Sequence, residues 1–139
     1  MKKEIVHDYK NWSEIESAVS KLVQKLDGKK FKTISTISRG GLVPARLVAD
    51  RLGIKQILVD GESVPEDSLF VDDIYDSGET FRKIIQKADN SDELVFATIY
   101  ARRKDTYPKQ LVYAELTRDT EYIVYPWDRF EHGMPYEAH

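Results

Sequence analysis

The sequence predicts an α/β fold with a mainly parallel central sheet. Short β-rich runs end in polar loops, and loops feed segments with helical apolar spacing, so that strand, loop and helix repeat three times. One run, Leu69-Phe70-Val71, is apolar on both faces. That suits a strand in the middle of a parallel sheet, where both sides are covered.

The first helix is expected from Ser13-Glu14-Ile15-Glu16, a capping box with Ser13 as N-cap and Glu16 at N3. Ile15, Ala18, Val19, Leu22, Val23 and Leu26 form its apolar stripe, and Asp27-Gly28-Lys29-Lys30 ends it. Phe31 to Ile37 is the first predicted strand, followed by the loop Ser38-Arg39-Gly40-Gly41. Leu42 to Leu52 has helical spacing and stops at Gly53, a C′ glycine. Ile54 to Val59 is a second short strand, and Asp60 to Asp67 a polar loop with Gly61 and Pro65. After the third strand, Asp72 to Gly78 is expected to be a loop feeding a helix that runs to about Ala88. Leu94 to Tyr100, Leu111 to Leu116 and Tyr122 to Val124 are further strands. No repeat, linker or low-complexity stretch interrupts the 139 residues, so one domain over 1–139 is expected.

Composition narrows the function classes. Hydrophobic residues make up 41%, enough for a core without disulfides or a structural metal. The absence of cysteine excludes disulfides, thiolate–zinc sites and cysteine nucleophiles. A net charge of −3 argues against a nucleic-acid binder. No run reaches the roughly 20 apolar residues of a membrane span. No apolar signal region follows Met1-Lys2-Lys3-Glu4, so a cytoplasmic protein is the expectation. His132 and His139 have no partner at metal-ligand spacing and are read as surface residues.

The chemistry is concentrated in Leu69-Phe70-Val71-Asp72-Asp73-Ile74-Tyr75-Asp76-Ser77-Gly78-Glu79-Thr80. Ligands of open α/β sheets bind at the carboxyl ends of the strands. Backbone N–H groups from Ser77 to Thr80, at the positive end of a helix, form an anion site. Gly78 permits close approach, and the Ser77 and Thr80 hydroxyls can donate to phosphate oxygens. Asp72 and Asp73 repel phosphate but suit hydroxyl groups or a hard cation such as Mg²⁺. Phosphate, hydroxyls and metal within nine residues describe a sugar phosphate. The plainer alternative makes Asp76 or Ser77 a helix N-cap and the acidic pair a solvated strand end.

This stretch resembles the signature of the type I phosphoribosyltransferases, an apolar strand, two acidic residues, then Asp-Thr/Ser-Gly-x-Thr. Ser38-Arg39-Gly40-Gly41-Leu42-Val43-Pro44 is similar to the pyrophosphate loop of the bacterial xanthine-guanine members, and the strand that it ends should neighbour the Asp72 strand. Phe96 to Arg102 is similar to the strand whose terminal lysine contacts purine O6, and Asp119 to Asp128 to the segment that stacks an aromatic ring on the base. The resemblance implies a three-layer fold of that family and a Mg²⁺-dependent purine salvage enzyme. Its substrates would be phosphoribosyl pyrophosphate and a 6-oxopurine. Asp72, Asp73 and Asp76 to Thr80, Glu79 included, would hold the phosphoribose, with Asp73 on the metal and Asp76 also the general base. Ser38, Arg39 and Gly40 would hold pyrophosphate, and Arg102, Tyr122 and Ile123 the base. A homodimer or larger homo-oligomer is implied as well. The pattern departs from the family at Asp60 to Ser68, where a longer basic loop normally closes over the pyrophosphate; here there is no Lys or Arg. Glu79 is a second departure, a negative charge in the phosphate turn. The alternative function is a non-catalytic sensor of phosphoribosyl pyrophosphate or a nucleotide on the same fold.

Overall fold

The computed structural model describes residues 4–128. His132, His139 and the first three residues lie outside them. The chain runs β1 (Val6–Tyr9), α1 (Trp12–Lys25), β2 (Thr33–Thr36), α2 (Leu42–Leu52), β3 (Ile57–Val59), β4 (Ser68–Tyr75), α3 (Glu79–Lys87), β5 (Val95–Arg102), β6 (Leu111–Thr117) and β7 (Glu121–Val124). Five strands form an all-parallel sheet in the order β3-β2-β4-β5-β6. The strand ending at the Ser38 loop does lie beside the strand that carries Asp72.

Side-chain alternation along the central strands builds three layers. Leu69 and Val71 of β4, with Ala97 and Ile99 of β5, face α1 and α2, which bury Ile15, Ala18, Val19, Leu22, Ala45, Val48 and Ala49 there. Phe70 and Phe96 face the other way and meet Phe81 and Ile84 of α3. Phe70 and Phe96 stack at 4.9 Å, and Phe81 meets Phe96 edge-on. Each such side chain contributes roughly 1.5–3 kcal/mol when fully buried.

Three expectations are corrected. α1 is capped by Asn11, not Ser13: Asn11 Oδ1 accepts from the Glu14 N–H at 2.8 Å, and the Glu14 side chain accepts from the Asn11 N–H at 3.2 Å. Asparagine caps as well as serine, and the earlier start lengthens the helix without moving its apolar stripe. β1, for which the sequence pattern predicts no element, pairs with β7 in a separate two-stranded parallel sheet. Finally, β4 continues through the acidic pair to Tyr75 rather than ending at Val71. Asp72, Ile74 and Tyr75 stay in register with Thr98, Tyr100 and Ala101, so the ladder satisfies backbone groups that a buried loop would leave unpaired.

Candidate active site

The site is built at the carboxyl ends of β2, β4 and β5, where parallel sheets bind ligands. Asp72 is 5% exposed within β4. Its Oδ1 accepts from the Asp73 N–H, and Asp73 Oδ1 from the Ile74 N–H, each at 2.8 Å. The remaining carboxylate oxygens are not used by these two bonds. Burial, then the charge of Asp73, pushes the Asp72 carboxyl up to about 8. Burial raises Asp73 too, with Asp128 adding to it. Two adjacent carboxylates, both destabilised in their charged form, fit a hard divalent cation.

The turn after β4 opens α3. Its N-cap is Gly78, left-handed at φ 87°, which has no side chain to cap the helix with. Asp76 therefore is not the cap. Ser77 Oγ accepts a long, 3.3 Å bond from the Glu79 N–H. The Glu79 carboxylate lies 3.6 Å from Lys83, one turn along the helix. Asp72 to Phe81, with Phe96, line a hollow of about 140 Å³. A Cβ on Gly78 would sit 2.7 Å from the Tyr75 hydroxyl and 3.1 Å from Arg82 Nη1, so a side chain here would have to displace those two side-chain ends as well as adopt a strained φ. The sequence alone does not single out Arg82. It follows Gly78 by four residues, and helical side chains lean toward the N-terminus, which carries its guanidinium back over the turn. Its Nη1 donates to the Ser77 carbonyl at 3.4 Å.

Loop 38–41 borders the acidic pair. A Cβ on Gly40 would lie 3.1 Å from Asp73 Oδ2, and one on Gly41 would fall 2.0 Å from Thr36 Oγ1 and 2.9 Å from the Val71 carbonyl. Thr36 Oγ1 already donates to that carbonyl at 2.6 Å. Gly41→Ala is expected to destabilise the protein by about 1–3 kcal/mol through overpacking, read as a lower urea midpoint at unchanged slope. Unchanged stability would mean that the loop has room to move. Arg39 is exposed. Ser38 gives both its backbone N–H and its hydroxyl to Asp60.

A second hollow, about 220 Å³, is lined by Asp73, Ile74, Asp76, Arg102, Tyr122, Ile123, Tyr125 and Asp128. It shares Asp73, Ile74 and Asp76 with the first. Sequence residues far apart thus meet: Arg102 ends β5, and Tyr122 and Ile123 come from β7. Arg102 is mostly buried, and its Nε lies 3.3 Å from Asp76 Oδ1. Its Nη1 donates to the carbonyls of Arg118 and Glu121. Those bonds occupy three of the five guanidinium N–H groups and orient the Nη2 pair. Tyr122 is 41% exposed, its ring 5.5 Å from His7 of β1. Tyr125 and Asp128 carry no individual role in the sequence reading. Tyr125 is 3% exposed, and its hydroxyl has no hydrogen-bond partner among the described residues. Burial, then the charge of Asp73, keeps that hydroxyl protonated well above the usual phenol range. A tyrosine in an apolar β-segment gives no sequence sign that its hydroxyl faces a site.

The loop Asp60–Ser68 holds no cation and is pinned down. Val64 is buried in the α3 layer, and its N–H and carbonyl bond Lys87 and Asp89. Among the described residues no helix is long and apolar enough to cross a membrane.

No family model matches the chain. A xanthine-guanine phosphoribosyltransferase of Idiomarina loihiensis is 28% identical, over 88% of this chain and 87% of the relative. Among solved structures, a purine phosphoribosyltransferase of Pyrococcus horikoshii superposes with a TM-score of 0.71 at 21% identity, covering 97% of this chain and 98% of that one. A xanthine-guanine-hypoxanthine phosphoribosyltransferase of Helicobacter pylori gives 0.72 at 12%, covering 91% and 97%. Sequence and fold point the same way: the chain resembles the type I phosphoribosyltransferases and shares their fold.

Proposed function

We propose that this chain is a purine phosphoribosyltransferase. It moves a 5-phosphoribosyl group from phosphoribosyl pyrophosphate to N9 of a 6-oxopurine, as a purine salvage enzyme would. The observation that carries this reading is the junction of the two hollows through Asp73, Ile74 and Asp76. One suits a phosphate and a ribose, the other a planar base, and their shared wall is where a bond between them would form.

In this reading the turn Ser77 to Thr80 takes the 5-phosphate on its backbone N–H groups, the Glu79 N–H giving up its long bond to Ser77 Oγ, and on the positive end of α3. Arg82 adds a cation there, offsetting Glu79. Anchoring the phosphate, remote from the reacting carbon, spends binding energy on alignment. Asp72 and Asp73 hold the ribose hydroxyls. Asp73, with one oxygen toward Gly40, is placed to hold a Mg²⁺ ion as well. Such an ion, when bound, would neutralise charge on the pyrophosphate. Arg39 and the Gly40 backbone complete that anion site.

The bond from C1 to the pyrophosphate oxygen breaks with its electron pair leaving on pyrophosphate, and N9 attacks C1. The transition state carries positive charge on the ribose, as in glycosyl transfer generally. Asp76 takes the proton from purine N7 as N9 bonds. Arg102 presents the Nη2 donors to the O6 carbonyl, held in aim by its backbone bonds. Adenine would turn its own N6 donors toward a donor-only group, and unpaired buried donors are costly. Tyr122 stacks on the base, and the Ile123 backbone reads its edge. Stacking of this kind is worth about 1–3 kcal/mol.

The test is incubation with phosphoribosyl pyrophosphate, Mg²⁺ and each of hypoxanthine, guanine, xanthine and adenine, following nucleotide formation. Product with at least one 6-oxopurine, and at least about 10²-fold less kcat/KM with adenine, is expected. Donor binding without product, where a known transferase turns over, would instead favour a sensor.

A further inference from the structure

The loop Ser38 to Gly41 is held by a residue outside the acidic pair and the phosphate turn. Asp60 follows β3 by one position. Its Oδ1 accepts from the Ser38 N–H at 2.8 Å and its Oδ2 from the Ser38 hydroxyl at 2.5 Å. The Asp60 backbone is itself fixed, its N–H donating to the Thr36 carbonyl at 3.0 Å. Its φ is 53°, a left-handed conformation that aspartate and asparagine adopt more readily than most residues. Ser38 thus spends both donors on the protein, and neither is left for a bound anion. The following segment is clamped on α3 through Val64. A segment so pinned braces the site instead of closing over it.

We propose that Asp60 is a positioning residue for the pyrophosphate half of the site, holding Ser38 so that Arg39 and the Gly40 backbone face the leaving group. The inference rests on the proposed phosphoribosyl transfer and deepens it: the short acidic loop supplies a fixed brace where a closing basic loop is missing. Asp60 is exposed, and the two Ser38 bonds, chiefly the hydroxyl's, hold its carboxyl below the usual range, so it is ionised at neutral pH. Lys87 is the facing cation. As a bare charge Asp60 would repel pyrophosphate, but solvent and salt screen exposed charges over about 8 Å. Its removal is expected to cost more in lost loop order than it returns in relieved repulsion.

Asp60→Asn tests this with the backbone conformation kept. The amide can still accept from the Ser38 N–H and can donate Nδ2–H to the rotated Ser38 hydroxyl, so the contacts survive but lose their charge-assisted strength and the brace is weakened. Asp60→Gly removes it while tolerating the same φ. Calorimetry with inorganic pyrophosphate and Mg²⁺, and separately with guanosine monophosphate, reads the two halves of the site. The expected result is pyrophosphate affinity lower by about threefold in Asp60→Asn and tenfold or more in Asp60→Gly. Guanosine monophosphate affinity should stay within twofold, and the donor KM should rise while the purine KM does not. Equal losses for both ligands would make Asp60 a general stability residue and overturn the proposal, as would unchanged or tighter pyrophosphate binding. If the unaltered protein binds neither ligand, the phosphoribosyltransferase reading fails, and this inference falls with it.

Discussion

Asp76→Asn is expected to lower kcat by about 10²–10⁴-fold while the affinity for phosphoribosyl pyrophosphate stays within a few-fold. The asymmetry follows from what Asp76 does and does not touch. It does not cap α3, whose N-cap is Gly78, so the turn that opens the helix does not rest on its charge. Its carboxylate lines both hollows and meets Arg102 at 3.3 Å, where the proposed reading puts the base. An amide keeps the shape and can still accept from Arg102 Nε, but it cannot take up the N7 proton. A group acting only in the transition state lowers kcat and kcat/KM together. Steady-state kinetics with a 6-oxopurine, beside calorimetry with the donor, separates the cases. A rate within threefold of the unaltered protein would remove Asp76 from proton transfer. A parallel loss of donor binding would make it a phosphate-turn residue.

The second large effect concerns stability. Asp72→Asn is expected to stabilise the metal-free protein at pH 8, by about 1–3 kcal/mol, and to flatten its pH dependence. Asp72 is buried in β4, and its folded pKa of about 8 lies above the ordinary aspartate value. For an acid with a raised pKa, the folded state binds more protons than the unfolded one between the two values. Stability is therefore greatest on the acid side and falls as pH rises from about 4 to about 8. The substituted amide does not titrate, and its oxygen can still accept from the Asp73 N–H as Asp72 Oδ1 does. Urea unfolding in a chelator across that range gives the comparison. A variant less stable than the unaltered protein at pH 8 would show that Asp72 supports the fold by its charge. The expected gain in the amide variant would be the pattern of a carboxylate kept for function at a cost in stability.

The central strands and α2 were legible because their apolar periods of 2.0 and 3.6 are local. Gly53 ended α2 as its position suggested, left-handed at φ 70°. The turn from β4 into α3 was legible too, since strand, acids, glycine and helix lie within a dozen residues. What escaped were features made by distant partners. The extension of β4 through Asp72 depends on pairing with β5, which no local pattern shows. The Ser38–Asp60 contact spans 22 residues and joins two loops. β1 is short and polar along most of its length, and its pairing partner β7 lies more than a hundred residues away. Asn11 and Ser13 both stand three residues before a glutamate, so cap chemistry alone offered two starts for α1.

The proposed transfer requires one structural act above all, the grip of a phosphate by the backbone of the turn after β4. The most direct measurement is an amide-resolved NMR titration with guanosine monophosphate. The backbone N–H resonances of Ser77, Gly78, Glu79 and Thr80 should move together and saturate with one dissociation constant, while those of Lys29 and Lys30, at the opposite end of the sheet, stay still. Saturable nucleotide binding that leaves the four turn amides unmoved would contradict the account.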